Sequence, residues 1–258
     1  MQIYSWNMLY RNARQDEAFD FISKTPFDLF CLQEVPEAFL KRLKTLPYHL
    51  DYRIDTERHP RSGTMHMYGV VLSRYPLSNK HEISYPEYWH LLPWRTRAFV
   101  TLMPDRYFTR IGNRGGFSVD LKLPQGPVRV FNLHLILAHP TWRLKEFELA
   151  MLYHDKTLPT IVCGDFNILE KPHITPLNWL LGGRVSDALS VTRERAHIEK
   201  RFVTYELTNA LSGEMTHPVS RSQLDHILVS RSFSITSASV LPDRLGSDHH
   251  PIHVEVSA

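Results

Sequence analysis

Two cysteines in 258 residues are too few for a disulfide framework, and no C-x-x-C or H-E-x-x-H motif offers a zinc site. Cys31 and Cys163 each lie in an apolar, strand-like run, where buried free thiols are expected. No apolar run is long enough to cross a bilayer, so no transmembrane segment is expected. The opening MQIYSWNMLYRN has neither the basic segment nor the apolar stretch of a secretory signal, which makes a cytoplasmic location the expectation. Low-complexity tracts, repeats of fixed period and Gly/Ser linkers are also missing, so residues 1–258 read as one domain with a sizeable core. Nor is there a strong excess of one charge. Lys and Arg number 30 against 27 Asp and Glu, although fifteen histidines and a pI near 8.8 tilt the surface towards anions. That balance is compatible with a phosphate-bearing substrate.

What the chain does have is strands. Apolar, β-branched runs recur at 2–6, 28–32, 68–73, 97–103, 116–123, 128–135, 160–164, 223–230, 234–240 and 251–256. Helical periodicity falls between some of them, at 16–22, 36–43 and most clearly 140–154, where Leu144, Phe147 and Met151 share a face. LPQGPV (123–128) reads as a hairpin turn and SRSFS (230–234) as a second tight connection. Hairpins mixed with strand–helix–strand units predict mixed sheets. The fold class expected is α/β, with two mixed sheets packed face to face and helices outside. The stretches 53–66 and 104–115, rich in Arg, Pro and Gly, read as surface loops. They place Arg58, Arg61, Arg106, Arg110 and Arg114 where a polyanion could be tracked.

The ends of the strands carry the chemistry. TIVCGDFN (160–167) is a buried run broken by Gly164 and followed at once by Asp165 and Asn167. The other strand ends and their neighbours present Trp6-Asn7, Leu32-Gln33-Glu34, Asn132 with His134, Leu224-Asp225-His226 and Ser247-Asp248-His249-His250-Pro251. Turn chemistry explains any one of these but not the series. Carboxylates and an amide oxygen are hard ligands, suited to Mg²⁺ or Mn²⁺, and Mg²⁺ takes only one or two protein carboxylates. Glu34 with Asp248 or Asn7 fits that demand. Histidines beside carboxylates add proton transfer and positive charge for a phosphoryl transition state. His226 and His250 read as packing or surface residues, as does most of the aromatic segment 85–94.

The ordered set W-N, L-Q-E, N-x-H-L, G-D-F-N, L-D-H and S-D-H-x-P resembles the endonuclease/exonuclease/phosphatase superfamily, also called deoxyribonuclease-I-like, over nearly the whole chain. The resemblance implies a two-sheet sandwich, a four-layer αββα arrangement, with a divalent metal in a cleft at one edge. It implies Glu34 as the principal metal ligand, with Asn7 and Asp248 beside it and Mg as the cofactor (Mn as the alternative). Asp165 resembles the residue that orients or deprotonates the attacking water, and Asn167 and His134 resemble phosphate contacts. His249 resembles the catalytic histidine and Asp225 its carboxylate partner; the sequence leaves open whether Asp165 or His249 is the base. The partner implied is a phosphate-ester substrate, with nucleic acid favoured. A phospholipid head group or inositol phosphate is the alternative, and a catalytically silent phosphate-binding scaffold is another. Oligomeric state is not legible in the sequence.

Overall fold

The computed structural model describes residues 1–137, 139–189 and 193–257. In chain order the strands are β1 (Gln2–Asn7), β2 (Leu29–Pro36), β3 (His49–His59), β4 (Met65–Ser73), β5 (Leu77–Ser84), β6 (Arg110–Gly112) and β7 (Gly115–Leu123). They continue as β8 (Gly126–His134), β9 (Thr160–Asp165), β10 (Leu207–Asn209), β11 (Asp225–Ser230), β12 (Ser234–Val240) and β13 (Ile252–Ser257). The α-helices are α1 (Gln15–Lys24), α2 (Glu37–Leu43), α3 (Trp94–Leu102), α4 (Pro140–Met151), α5 (Pro176–Leu180), α6 (Val185–Leu189) and α7 (Arg193–Thr204). No helix among the described residues is long and apolar enough to cross a membrane.

The strands form one seven-stranded sheet, β12-β13-β1-β2-β4-β3-β6, and one six-stranded sheet, β10-β11-β9-β8-β7-β5. Near the middle of each sheet lies a parallel pair, β1 with β2 and β8 with β9, while the remaining neighbours run antiparallel. The side chains sort into layers by strand alternation. Ile3, Leu29, Cys31 and Val71 meet Val119, Val130, Cys163 and Ile227 between the sheets. Ala18, Ile22, Phe39 and Leu40 cover the outer face of the larger sheet against Trp6, Phe30 and Val70. Phe147, Ala150, Ile198 and Phe202 cover the smaller sheet against Phe131, Val162 and Leu228. The arrangement is the expected αββα sandwich, and both cysteines are free and buried.

Several local expectations are corrected. Of residues 97–103, apolar and β-branched enough to read as a strand, all but the last belong to the helix α3. Pro93 precedes it, Pro104 follows it, and Arg95 and Thr96 donate to the carbonyls of Gly183 and Leu180, so it docks on α5. Most of the stretch 53–66 is not loop: β3 runs through to His59 and pairs with β6, whose residues 110–112 fall inside the second supposed loop. The SRSFS connection is not a hairpin either, because β11 lies in the smaller sheet and β12 in the larger. Polar edge strand β5 and helices α5, α6 and α7 carry too little apolar pattern to stand out in the sequence.

Candidate active site

Register alone places three of the expected residues side by side. His134 at the end of β8 is opposite Asp165 at the end of β9, and Asp165 is opposite Asp225 at the start of β11. Gly164 permits this, with φ at +150° and a backbone so close to β8 that a Cβ would lie 1.9 Å from the Leu133 carbonyl oxygen. From the larger sheet, Asn7 at the end of β1 reaches across and donates from Nδ2 to Asp165 Oδ2 (3.0 Å). The loop before β13 is tied to the same place. Trp6 Nε1 donates to the His249 carbonyl (3.2 Å), and Ser247 Oγ donates to the Asn7 carbonyl (2.7 Å).

His249 donates from Nδ1 to Asp225 Oδ2 (2.8 Å), and its Nε2 lies 3.7 Å from Asp165 Oδ2. Burial pulls its pKa down, but the charges of Asp225 and Asp165 outweigh that and raise it to about 10. The Asp225 oxygen is held in turn by the Thr216 hydroxyl (2.6 Å), whose own oxygen accepts the Leu224 and Asp225 N–H groups (3.0 Å each). His134 mirrors this arrangement from the other side. Its Nδ1 meets Asp55 Oδ2 at 3.3 Å, and its Nε2 lies 3.7 Å from the same Asp165 oxygen. Burial again opposes protonation, yet the Asp55 hydrogen bond and the charges of Asp55, Asp165 and Glu34 raise its pKa to about 9.

Glu34 sits where the β2–β4 register breaks, with φ at +55°, a conformation uncommon for a side chain other than glycine or asparagine. Its N–H donates to Asp55 Oδ2 (3.0 Å) and its Oε2 accepts the Tyr10 N–H (3.3 Å). Among the described residues its one cationic partner within 4 Å is His134 Nε2, at 3.9 Å from Oε1. Burial therefore raises its pKa against the pull of His134 and Arg58. A partly buried carboxylate so sparsely partnered suits a hard cation, as do the Asn7 amide oxygen, whose one partner among the described residues is the Leu9 N–H (3.1 Å), and Asp248. Asp248 is half exposed. Burial works against its charge, but the His217 imidazole, with Nε2 3.8 Å from Oδ2, and the charge of His249 hold its pKa at about 2. Ligand atoms of Asp165, Asp225 and His249 lie within 4.8 Å of one another, as do those of His217, Asp248 and His249; Glu34 is in neither group.

Asn167 is in place but partly engaged. With φ at +53° it donates its N–H to Asp165 Oδ1 (2.8 Å) and one amide hydrogen to the Leu135 carbonyl (2.9 Å). Arg114 is not the free phosphate contact that the loop reading suggests. It is buried, paired with Glu146 and bonded to the His134 carbonyl (2.7 Å). Arg61 is turned to the Thr101 carbonyl (3.0 Å), while Arg58 lies over the Tyr10 ring (4.4 Å) beside Glu34. His226 is a packing residue as expected, stacked on Phe166, with Nε2 accepting from Arg195 (2.9 Å). The sequence reading missed Asp55, Thr216 and His217. A signal for Asp55 existed: in HLDYRIDTERH the alternation puts Asp51, Arg53 and Asp55 on one face, and in the strand Arg53 and Asp55 are buried.

The same architecture occurs in solved structures. An endonuclease/exonuclease/phosphatase from Beutenbergia cavernae is 16% identical, with 99% of this chain covered, 71% of that one, and a TM-score of 0.70. TDP2 from D. rerio, complexed with a single-strand DNA product, is 12% identical over 100% of this chain and 99% of that one (TM-score 0.62). The mannosyl-6-phosphatase Bt3783 of Bacteroides thetaiotaomicron is 19% identical over 100% of both chains (TM-score 0.59). No curated protein sequence matches the chain. Identities this low show the fold alone, but the Endonuclease/Exonuclease/phosphatase family pattern matches residues 4–249, from β1 to His249. With fold, strand-end residues and family pattern in agreement over that span, the chain belongs to the endonuclease/exonuclease/phosphatase family.

Proposed function

We propose that the protein is a Mg²⁺- or Mn²⁺-dependent phosphoesterase that hydrolyses a phosphodiester with an activated water, nucleic acid being the leading substrate. The observation that carries this reading is the convergence on Asp165 Oδ2 of the Nε2 atoms of His249 and His134, each 3.7 Å away, and of the Asn7 amide at 3.0 Å. One carboxylate flanked by two imidazoles, each backed by a second carboxylate, is a constellation for moving a proton beside a phosphoryl group.

Glu34, with Asn7 and Asp248 beside it, would hold the metal, which when bound supplies Lewis-acid polarisation and offsets charge developing on phosphorus oxygens. The remaining work belongs to the chain. The carboxylates around His249 and His134 raise their pKa values to about 10 and about 9 and so favour the protonated forms, in which both can donate hydrogen bonds to phosphoryl oxygens. A histidine held in that state is a poor base, which supports Asp165 as the acceptor of the proton from the attacking water. Asn167 holds Asp165 Oδ1 through its backbone and has one amide hydrogen left for the substrate. Exposed Arg97, Arg106 and Arg110, with Trp94 (77% exposed) and Tyr107 (57% exposed), support a polyanion bearing rings that can stack. The fold is compatible with more than one ester, as the DNA product on TDP2 and the phosphatase activity named for Bt3783 illustrate.

The test is a panel of an oligonucleotide, a chromogenic phosphodiester and sugar phosphomonoesters, assayed with Mg²⁺, Mn²⁺ and chelator. Metal-dependent cleavage of the oligonucleotide is expected. Glu34→Gln should weaken Mn²⁺ binding without unfolding the protein. Turnover of a monoester alone would overturn the substrate, and full activity in excess chelator would overturn the metal.

A further inference from the structure

The layer between the sheets is largely apolar, and a polar pair enters it just below the site. There Gln33 of β2 and Asn132 of β8 are fully or almost fully buried and face one another across the layer, with Gln33 Nε2 donating to Asn132 Oδ1 (2.7 Å). Gln33 Nε2 also lies 3.4 Å from Ser5 Oγ of β1. With its oxygen so engaged, the Asn132 amide is oriented, and its Nδ2 donates twice, to the carbonyls of Leu32 (3.0 Å) and Val70 (2.9 Å). Those two residues have a particular place. Leu32 and Val70 are the last partners in the β2–β4 ladder before the register shifts, and pairing resumes only at Val35 with Tyr68. The irregularity between them contains Glu34 with its φ of +55°.

We propose that Asn132, oriented by Gln33, is a positioning residue that pins this bulge from the opposite sheet and so sets the place of the Glu34 carboxylate. A bulge breaks the ladder, and carbonyls at the break need a donor if they are buried. The smaller sheet supplies both hydrogens from one side chain, at a point two residues before His134 on the same strand. Closeness is built in as well: opposite Asn132 the larger sheet has Gly69, whose Cβ, were there one, would be 3.5 Å from Asn132 Nδ2. A Leu in place of Asn132 fills similar space but cannot donate. The bulge would then be free to relax towards regular pairing, which turns the Glu34 side chain away. Buried amides of this kind serve folding too, so the role differs from plain stability only in what else changes with it.

The inference rests on Glu34 acting as a metal ligand, and the experiment separates the two. Mn²⁺ binding to the metal-free protein is measured by calorimetry for wild type, Glu34→Gln, Asn132→Leu, Gln33→Leu and Val130→Ala. Val130 is a buried residue of the apolar layer between the sheets, two positions earlier on β8, and is not one of the candidate site residues. Asn132→Leu should weaken Mn²⁺ binding by about tenfold or more, the scale for partners that orient a ligand. Gln33→Leu should act in the same direction but less, and it keeps the question open to measurement if Asn132→Leu does not fold. Val130→Ala should lower the melting temperature and leave Mn²⁺ affinity unchanged. At saturating metal, Asn132→Leu should recover most of its kcat. If Glu34→Gln weakens Mn²⁺ binding while folded Asn132→Leu and Gln33→Leu do not, the positioning role is wrong. If Glu34→Gln itself has no effect, the metal assignment fails instead.

Discussion

His249–Asp225 and His134–Asp55 solve one problem in two ways. In each pair the imidazole and the carboxylate come from opposite sheets, His134 from β8 and His249 from the loop leading into β13, and each sends Nε2 to within 3.7 Å of one Asp165 oxygen. The difference lies behind the carboxylate. Asp225 is closed off: its histidine contact is 2.8 Å, and the same oxygen is held by the Thr216 hydroxyl, itself fixed by two backbone N–H groups. Asp55 is a junction. Its histidine contact is 3.3 Å, and the same oxygen also accepts the Glu34 N–H at 3.0 Å. One pair is a stiff device for holding a charged imidazole, while the other couples an imidazole to the backbone of the expected metal ligand. On the proposed reading, positive charge for a phosphate and placement of a metal can thus be disturbed separately.

The largest effect expected follows from breaking the stiff pair. His249→Ala should lower kcat by about 10²–10³-fold, the range for losing one preorganised donor to developing charge, and Asp225→Asn should follow it. Because the two act as a unit, the double variant should be little worse than the worse single one, and additive losses in a kinetic cycle would show that they are not partners. Next comes the buried ion pair behind His134. Arg114 is 6% exposed, pairs with Glu146 and holds the His134 carbonyl, so Arg114→Met should cost about 3–5 kcal/mol in urea unfolding by leaving Glu146 buried and uncompensated. A loss well under 1 kcal/mol would mean that the pair is not needed by the fold.

Asp55→Asn sharpens the comparison itself. It should reduce kcat by about 10–100-fold and also weaken Mn²⁺ binding, whereas Asp225→Asn should leave Mn²⁺ binding nearly unchanged. Equal metal effects from the two substitutions would erase the distinction drawn above. The smallest effect concerns the third buried histidine, which is the opposite of the other two. Burial and the Arg195 charge hold the pKa of His226 well below its ordinary value. A histidine depressed in the folded state takes up its proton on unfolding, so its contribution is complete above the unfolded value near 6.5 and is lost as pH falls below it. The expected slope is about 1.4 kcal/mol per pH unit. Stability of His226→Gln measured against pH should be flatter than wild type by that one proton on the acid side; an identical slope would show that His226 is already charged in the fold.

The residues whose position could be read in advance share a feature: they stand at the end of a recognisable strand. Asn7, Glu34, His134, Asp165, Asn167, Asp225, Asp248 and His249 all come to the same end of the sandwich, and strand runs such as TIVCG and VRVFNLHL are where alternation put them. Asp55 escaped because its strand is dominated by charge, and Arg, Pro and Gly nearby made the segment look like a loop. Residues 97–103 failed in the reverse sense. Their β-branched composition suggests a strand, but two prolines and bonds to the α5 region make a helix there. Arg114 looked like a surface charge, yet Glu146 on α4 draws it inside.

By itself, then, the sequence determined a two-sheet sandwich whose strand ends are rich in Asn, Asp, Glu and His; that these ends meet at one edge was what the family resemblance implied. Periodicity and turn residues are local properties, and they mark where strands stop. Only the tertiary structure decided which carboxylate backs which histidine, which arginines are spent in the interior, and that an amide of one sheet reaches the bulge of the other. Those outcomes depend on distances across the gap between two sheets, and no spacing along a single chain encodes them.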